Sequence, residues 1–314
     1  MGTILVTGGA GFIGSHTCEA LLSRGDHVVS VDNLDPFYSK EQKLANLALL
    51  QRPGFTSIIA DITDRAALER VFTQHSFDAV IHIAALAGVR TSVEEPLRYE
   101  KVNVQGTLHL LEACRKRGIK RFVFASSSSV YGEESVAPFK ETERADRPAS
   151  PYAATKRAGE HLCFTYSHLF GMHCTCLRFF SVYGPRGRPD MAVWKFTESI
   201  LTKPPLVIHG DGSTKRDFTY VGDIVSGILA ALDLSPRFEI INLGNGTPVS
   251  LKDLLAITEK VTGKKASVTH DAAKPEDVPV THADLTKAKE VLRYTPRVGL
   301  EEGVRRFVEW YRTR

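Results

Sequence analysis

The chain has 314 residues, 43% hydrophobic and 24% charged, with a formal net charge of +4; it is long enough to bury a full core, and its charge is too diffuse for a nucleic-acid footprint. Five cysteines without framework spacing exclude a disulfide scaffold and predict buried thiols in a reducing compartment, while eleven histidines without a metal-spaced cluster argue against a bound metal. The start, MGTILVTGG, enters a strand with no charged leader, and no apolar run has spanning length, which predicts a cytoplasmic protein without a membrane partner.

In chain order, the short apolar runs ILVT (4–7), VVSV (28–31), SIIA (57–60), AVIHIA (79–84) and RFVFA (121–125) are strands apolar enough to be covered on both faces. Helix-length amphipathic stretches such as 14–24 and 102–117 lie between them. The alternation predicts an α/β fold, a Rossmann-type doubly wound parallel sheet. Further on, Cys174 and Cys176 fall on one face of an apolar strand. Beyond about residue 180 proline and glycine become denser (GPRGRP, TKPP, HGDGS), strands shorten and helices gather toward the end. The expected division is a first domain over 1–180 and a smaller C-terminal α/β lobe over 181–314 facing the substrate, with some of its segments returning to the main sheet.

TGGAGFIG (7–14) follows a strand and opens a helix. Gly8, Gly11 and Gly14 let the backbone turn tightly around Phe12 and Ile13 and approach a pyrophosphate at the helix N-terminus. The next strand ends in Asp32, a carboxylate placed for an adenosine ribose, followed by Asn33 rather than an arginine that would welcome a 2′-phosphate. NAD is therefore expected over NADP. Asp61 and Ile62, after the third strand, fit an adenine-edge contact, although an aspartate there also reads as a helix cap.

YAATK (152–156) places Tyr152 and Lys156 four apart on one helix face, where the ammonium lowers the phenol pKa and makes a tyrosinate base accessible. SSSSVYG (126–132) follows the fifth strand directly, so its hydroxyls point into the ligand crevice and can orient a sugar hydroxyl beside the tyrosine.

TGGAGFIG, Asp32, the serine run, Tyr152 to Lys156 and the later RDFTYVGD occur in order over nearly the whole chain. Together they resemble the extended short-chain dehydrogenase/reductase family, specifically its nucleotide-sugar epimerases and dehydratases. The resemblance implies retained NAD, a catalytic Tyr152/Lys156 pair with Ser127 as hydroxyl partner, and a UDP- or dTDP-sugar. It further implies that Ala84, Ala85 and Ala87 line the cofactor with Asn103 behind them, and that the protein is a homodimer through helices at 96–117 and 151–170. Dehydratases of this family carry an Asp-Glu pair where Ser128 and Ser129 stand here, and decarboxylating relatives that make UDP-xylose carry a glutamate at the place of Ser129. Without those carboxylates, chemistry beyond hydride transfer is disfavoured and epimerisation is expected.

The loop SVYGPRGRPDM (181–191) resembles the UDP-glucuronate 4-epimerase branch, whereas UDP-galactose 4-epimerases usually have asparagine at the place of Ser181 and lack the RPDM run. A guanidinium fork matches a carboxylate, so Arg188 is expected to grip the C6 carboxylate with help from Ser181. Such a clamp would suppress loss of CO2 from the β-keto acid formed on oxidation at C4. Surface charge and pyrophosphate binding remain the alternatives for Arg186 and Arg188. Arg216 resembles the family's phosphate-binding arginine, and Arg90 resembles another substrate-side contact. The KPEDV loop departs from the family pattern, with Lys274 nearby and Asp277 as a ribose contact. Ala192, Val193 and Ile208 fit either a uracil slot or apolar core. Two other functions stay open: UDP-glucose 4-epimerase, and a catalytically silent NAD-binding protein, which would typically lack the Tyr/Lys pair.

Overall fold

A parallel seven-stranded sheet runs through the computed structural model, which describes residues 1–132, 135–272 and 278–314. Six of its strands come first: β1 (Thr3–Thr7), β2 (His27–Asp32), β3 (Phe55–Ile59), β4 (Ala79–His82), β5 (Arg121–Ser127) and β6 (His173–Phe179). Three short strands follow, β7 (Ser181–Tyr183), β8 (Leu206–His209) and β9 (Lys215–Tyr220), before β10 (Phe238–Leu243) completes the large sheet. The spatial order is β10-β6-β5-β4-β1-β2-β3. Chain direction across the sheet reverses between β1 and β4, and that switch point opens a crevice at the carboxyl ends of the strands.

Helices cover both faces. α1 (Phe12–Ser23) follows β1, α2 (Lys40–Ala48) follows β2 and α3 (Arg65–Gln74) follows β3. Between β4 and β5 lie α4 (Val89–Glu94), α5 (Pro96–Glu100), a π-helical turn over Lys101–Gln105, and α6 (Gly106–Lys116). α7 (Pro151–Phe170) joins β5 to β6. Alternation along β1 divides the core: Ile4 and Val6 pack with Leu21, while Leu5 packs with Leu110 and Phe122 on the opposite face. α7 starts on Ser150, whose hydroxyl accepts from Ala153 N–H at 3.2 Å, with Pro151 at the first helical position, and it ends at Gly171 in the left-handed region.

The remaining helices are α8 (Ala192–Leu201), α9 (Val221–Leu234), α10 (Leu251–Thr262), α11 (Thr286–Leu292) and α12 (Leu300–Thr313), with strands β11 (Pro248–Ser250) and β12 (Val268–Asp271) among them. α9 packs back on the large sheet, its Ile224 and Ile228 sharing a core with β1. β11, β9 and β7 form a three-stranded sheet and β12 pairs with β8. Trp194, Leu254 and Phe307 lie in the core beside these smaller sheets.

Two sequence expectations are corrected. SIIA is not covered on both faces: among the described residues β3 is the edge strand, with β2 as its only neighbour, and Ile59 is 58% exposed. The helix expected over 102–117 begins instead as the π turn, whose wider hydrogen-bond ring shifts the phase of residue 103 before α6 starts. All five cysteines are buried free thiols, and Cys174 and Cys176 both face Cys163 of α7. Among the described residues no helix is long and apolar enough to cross a membrane.

Candidate active site

The β1–α1 turn is shaped for close approach. Gly8 has φ +75°, and a Cβ there would stand 2.8 Å from the Ala84 nitrogen; one at Gly14 would stand 2.0 Å from the Gly8 carbonyl oxygen. α1 begins after Gly11, which has no side chain to cap the N–H groups of its first turn, and the Tyr38 hydroxyl lies beside the Phe12 N–H. A cradle without Cβ atoms beneath an uncapped helix start fits the diphosphate of NAD. At the end of β2, Asp32 accepts from Ala10 N–H at 3.1 Å and Leu34 N–H at 2.8 Å. Burial pushes its carboxyl above the usual range despite these donors. Asn33 donates to Asp61 at 2.9 Å, and Asp61 accepts from Thr63 N–H at 2.7 Å. Burial raises the Asp61 carboxyl, but the Thr63 and Asn33 donors more than reverse this and leave it below its ordinary value.

One cavity of about 800 Å³ runs from this cradle across the carboxyl ends of the strands. The part of it next to the cradle is lined by Gly8, Gly11, Phe12, Ile13, Gly14, Asp32, Asn33, Asp61, Ile62, Ala84, Ala85 and Ala87. Asn103 does not line it. The π turn aims its amide instead at the Leu86 backbone and the Thr155 hydroxyl, so it supports the wall from behind.

Ser127, Ser128, Ser129, Tyr152 and Lys156 all border the same cavity. Ser127 ends β5 and accepts from Ser129 N–H at 3.2 Å, turning the chain into the 3₁₀ turn Ser128–Tyr131. Burial pushes the Tyr152 phenol up, opposed by a hydrogen bond with the Ser127 hydroxyl and by the charge of Arg188. The Lys156 ammonium donates to the Ala125 carbonyl at 2.7 Å, and burial lowers its pKa to about 7.

The two arginines of the 181–191 loop have different fates. Arg186, with φ +62°, donates to the Glu19 carboxylate and to Nδ1 of His16 on α1. An arginine only donates, so His16 Nδ1 accepts and Nε2 donates to the Pro185 carbonyl at 2.9 Å. Burial, helped by Arg186, pushes His16 down to about 4. Arg186 is thus a loop anchor. Arg188 borders the cavity, lies over the Phe37 ring at 5.3 Å, and donates through Nε and Nη2 to Asp190. Burial raises the Asp190 carboxyl, but Arg188 more than reverses this and holds it low.

On the substrate side Arg90, Ser181, Ala192, Ile208 and Arg216 line the cavity. Arg216 also donates to the carbonyls of Lys215 and Val278. Val193 does not line it: this residue of α8 is 2% exposed and packs in the core with Trp194 and Phe196, a correction to the uracil-slot reading. Asp277 and Lys274 lie outside the described residues. The sequence reading missed Asp35, Tyr38, Lys43, Asp190 and Lys195, which also border the cavity. Lys43 donates to the Asp35 carbonyl at 2.7 Å, and its ammonium sits 4.7 Å from the Tyr38 ring centre. The available signal was NLDPFYSK, an aromatic, aperiodic stretch directly after Asp32.

A glycine cradle and a Tyr/Lys helix at the switch point of a doubly wound sheet place the protein among dinucleotide-dependent enzymes of the short-chain dehydrogenase type. The family model described as NAD dependent epimerase/dehydratase family matches residues 4–244, and the chain belongs to that family. The UDP-glucuronate 4-epimerase of Thermodesulfobacterium geofontis is 45% identical over 312 residues, covering 99% of this chain and 96% of that protein. The Bacillus cereus UDP-glucuronic acid 4-epimerase, solved in complex with UDP-glucuronic acid and NAD, is 39% identical, with a TM-score of 0.92 and 99% of each chain covered. The Thermotoga maritima UDP-glucose 4-epimerase, solved with UDP-glucose, is 36% identical, with a TM-score of 0.91 and the same coverage.

Proposed function

We propose that the protein is an NAD-dependent UDP-sugar 4-epimerase that interconverts UDP-glucuronate and UDP-galacturonate through a transient 4-keto sugar. The observation that carries this reading is the convergence of the Ser127 hydroxyl and the Arg188 charge on the Tyr152 phenol inside the cavity that holds the glycine cradle. The full-length likeness to UDP-glucuronate 4-epimerases supports the choice of sugar.

Bound NAD supplies a reversible two-electron acceptor for the C4 hydrogen. Tyr152, as phenolate, accepts the 4-hydroxyl proton while Ser127 holds that oxygen in place. The keto sugar then turns about its diphosphate tether and presents its other face, and Tyr152 returns the proton. Lys156, fixed on the Ala125 carbonyl, ties the catalytic helix to the end of β5. Ser128 and Ser129 offer hydroxyls but no acid or base for elimination, which favours clean epimerisation. Arg188 takes the sugar carboxylate in competition with Asp190. Arg216 and Arg90 serve the diphosphate side, and Ala192 and Ile208 the uracil.

The homodimer of this reading uses the helices at 96–117 and 151–170, where Leu97 and Leu169 are 83% and 62% exposed. A reducing cytoplasm suits five buried, unpaired thiols. A second reading, UDP-glucose 4-epimerase, is favoured by one observation: Asp190 already balances the Arg188 charge, so the site tolerates a neutral sugar. Incubating the purified protein with UDP-glucuronate and, separately, UDP-glucose without added NAD, and following the anomeric proton signals, separates the two. Conversion of the uronate supports the first reading. Conversion of glucose alone overturns it.

A further inference from the structure

Behind the cavity wall a chain of fully buried polar groups crosses from the cofactor cradle to the catalytic helix. Ala84 N–H donates to Thr7 Oγ1 at 3.2 Å, and Thr7 Oγ1 lies 2.7 Å from Nδ1 of His82. His82 Nε2 lies 2.9 Å from Thr107 Oγ1, and Thr107 donates to the Asn103 carbonyl at 2.5 Å. The Asn103 amide donates to the Leu86 carbonyl at 2.9 Å and to Thr155 Oγ1 at 3.0 Å. Thr155 in turn donates to the Tyr152 carbonyl at 2.8 Å. Thr7 directly precedes Gly8 of the cradle, so the two ends of this chain are the two reacting walls of the crevice.

Counting protons fixes the direction of every bond. Thr107 has one hydroxyl proton and spends it on the Asn103 carbonyl, so toward His82 it only accepts. Nε2 of His82 therefore carries the proton, Nδ1 accepts from the Thr7 hydroxyl, and Thr7 keeps its lone pair for Ala84. Each side-chain proton of the chain has one acceptor, while the Ala84 N–H is shared between the Thr7 carbonyl at 3.0 Å and Thr7 Oγ1. His82 is 1% exposed, beside the rings of Phe122 and Phe124, and burial with the nearby Lys156 ammonium pushes it down to about 3. A second proton on the ring would leave Nδ1 and the Thr7 hydroxyl both donating into the same gap.

We propose that His82 is a positioning residue: its neutral imidazole, protonated on Nε2, locks the cofactor cradle at Thr7 and Ala84 to the backbone that carries Tyr152. It touches neither sugar nor cofactor and acts through the distance between cradle and phenol. That distance decides how often proton and hydrogen transfer at C4 coincide, and misplacement by about 1 Å costs on the order of a hundredfold in rate. The kinetic part rests on the epimerase reading; the tautomer and the retention of NAD do not.

The test is made on the NAD-loaded protein. Nitrogen-15 histidine spectra, with the His82 signal identified by its loss in His82→Leu, are expected to show a protonated Nε2 and an unprotonated Nδ1. His82→Leu is expected to lose NAD faster on gel filtration and to lower kcat for UDP-glucuronate by on the order of a hundredfold, with KM changed less than about threefold. His82→Gln, which restores an N–H donor to Thr107, is expected to recover at least about tenfold of the loss. Should His82→Leu fail to fold, Thr107→Val removes the same link at a nearly isosteric side chain, and the same fall in kcat is expected. A proton on Nδ1 overturns the proposal, as does a folded His82→Leu or Thr107→Val protein with kcat and NAD retention within about twofold of the parent. A protein inactive on UDP-glucuronate leaves the spectra and NAD retention to decide, so failure of the sugar assignment is told apart from failure of the lock.

Discussion

Arg188 and Asp190, two residues apart on one loop, form a bidentate ion pair at 2.9 and 2.5 Å on the wall of the cavity, with Phe37 stacked against the guanidinium. The anion that the loop's arginine calls for is thus already present in the chain. A sugar carboxylate must compete with it. Asp190→Asn removes the competitor and keeps the shape, so KM for UDP-glucuronate is expected to fall while KM for UDP-glucose stays near its starting value. Equal changes for both sugars would show that Asp190 does not gate the guanidinium.

Arg188→Ala removes both the charge and the fork. A hydrogen bond to a charged group contributes about 1.5–3 kcal/mol, so KM for the uronate is expected to rise by roughly ten- to a hundredfold, with pentose product appearing as the unclamped β-keto acid loses CO2. Product analysis by anomeric proton signals checks both. Unchanged affinity with clean epimerisation would dissociate Arg188 from the carboxylate.

Tyr152→Phe deletes the proton acceptor and leaves the ring packed edge-on against Tyr99 at 6.2 Å. Turnover is expected to fall by roughly 10²–10⁴-fold with sugar binding retained, as for removal of a general base. Titration of sugar binding beside a rate assay measures both, and near-normal turnover would take Tyr152 out of the mechanism.

What could be read in the sequence is what local rules encode. The glycine cradle rests on turn geometry within eight residues, and Tyr152 and Lys156 share a face because a helix repeats every 3.6 residues. Six of the seven strands of the large sheet were visible as apolar runs and β10 was not, and the exposure of β3 depends on strand order, which no single run contains. The partners of the two loop arginines illustrate the limit. Glu19, which receives Arg186, stands 167 positions away, and only the packing of the loop on α1 brings them together. The same limit applies to Asn103 and Val193: a π turn sets the position of the first behind the wall, and the phase of α8 decides the open choice for the second in favour of the core. Four-residue spacing puts Tyr152 and Lys156 on one face without fixing what the ammonium binds, and its contact with the Ala125 carbonyl depends on the packing of α7 against β5.

Lys156 makes stability depend on pH in a defined sense. Burial lowers its pKa from 10.5 to about 7 in the folded protein. Between those values the unfolded chain holds a proton that the folded chain has released, so this group's contribution to stability rises as pH climbs from 7 toward 10.5 and is flat below 7. Lys156→Met removes the penalty. In denaturant titrations of the cofactor-free protein, the variant is expected to gain stability over the parent at pH 7, and the gain is expected to shrink toward zero by about pH 10. An equal gain at both pH values would mean that Lys156 is not titrating in that window.

Glu160 and Arg178 lie directly beneath the serine run. The guanidinium donates to both oxygens of Glu160 at 2.8 Å, and Ser126 adds a third donor at 2.6 Å and Arg157 a fourth at 2.7 Å. Burial raises the Glu160 carboxyl, but Arg178 and the other donors more than reverse this, so the pair stays ionised. Both side chains are essentially inaccessible to water, and removing one strands the other's charge in a medium that cannot solvate it. Glu160→Leu is therefore expected to cost about 3–5 kcal/mol in unfolding free energy. The double change Glu160→Leu with Arg178→Met deletes both charges, and the hydrophobic pair is expected to recover most of that loss, because the desolvation cost of the ions disappears with their attraction. The comparison is made by urea unfolding of parent, single and double variants. A single variant within about 1 kcal/mol of the parent would mean that water reaches Arg178 once its partner is gone, and the pair would then be an ordinary surface contact rather than a support for the catalytic strand.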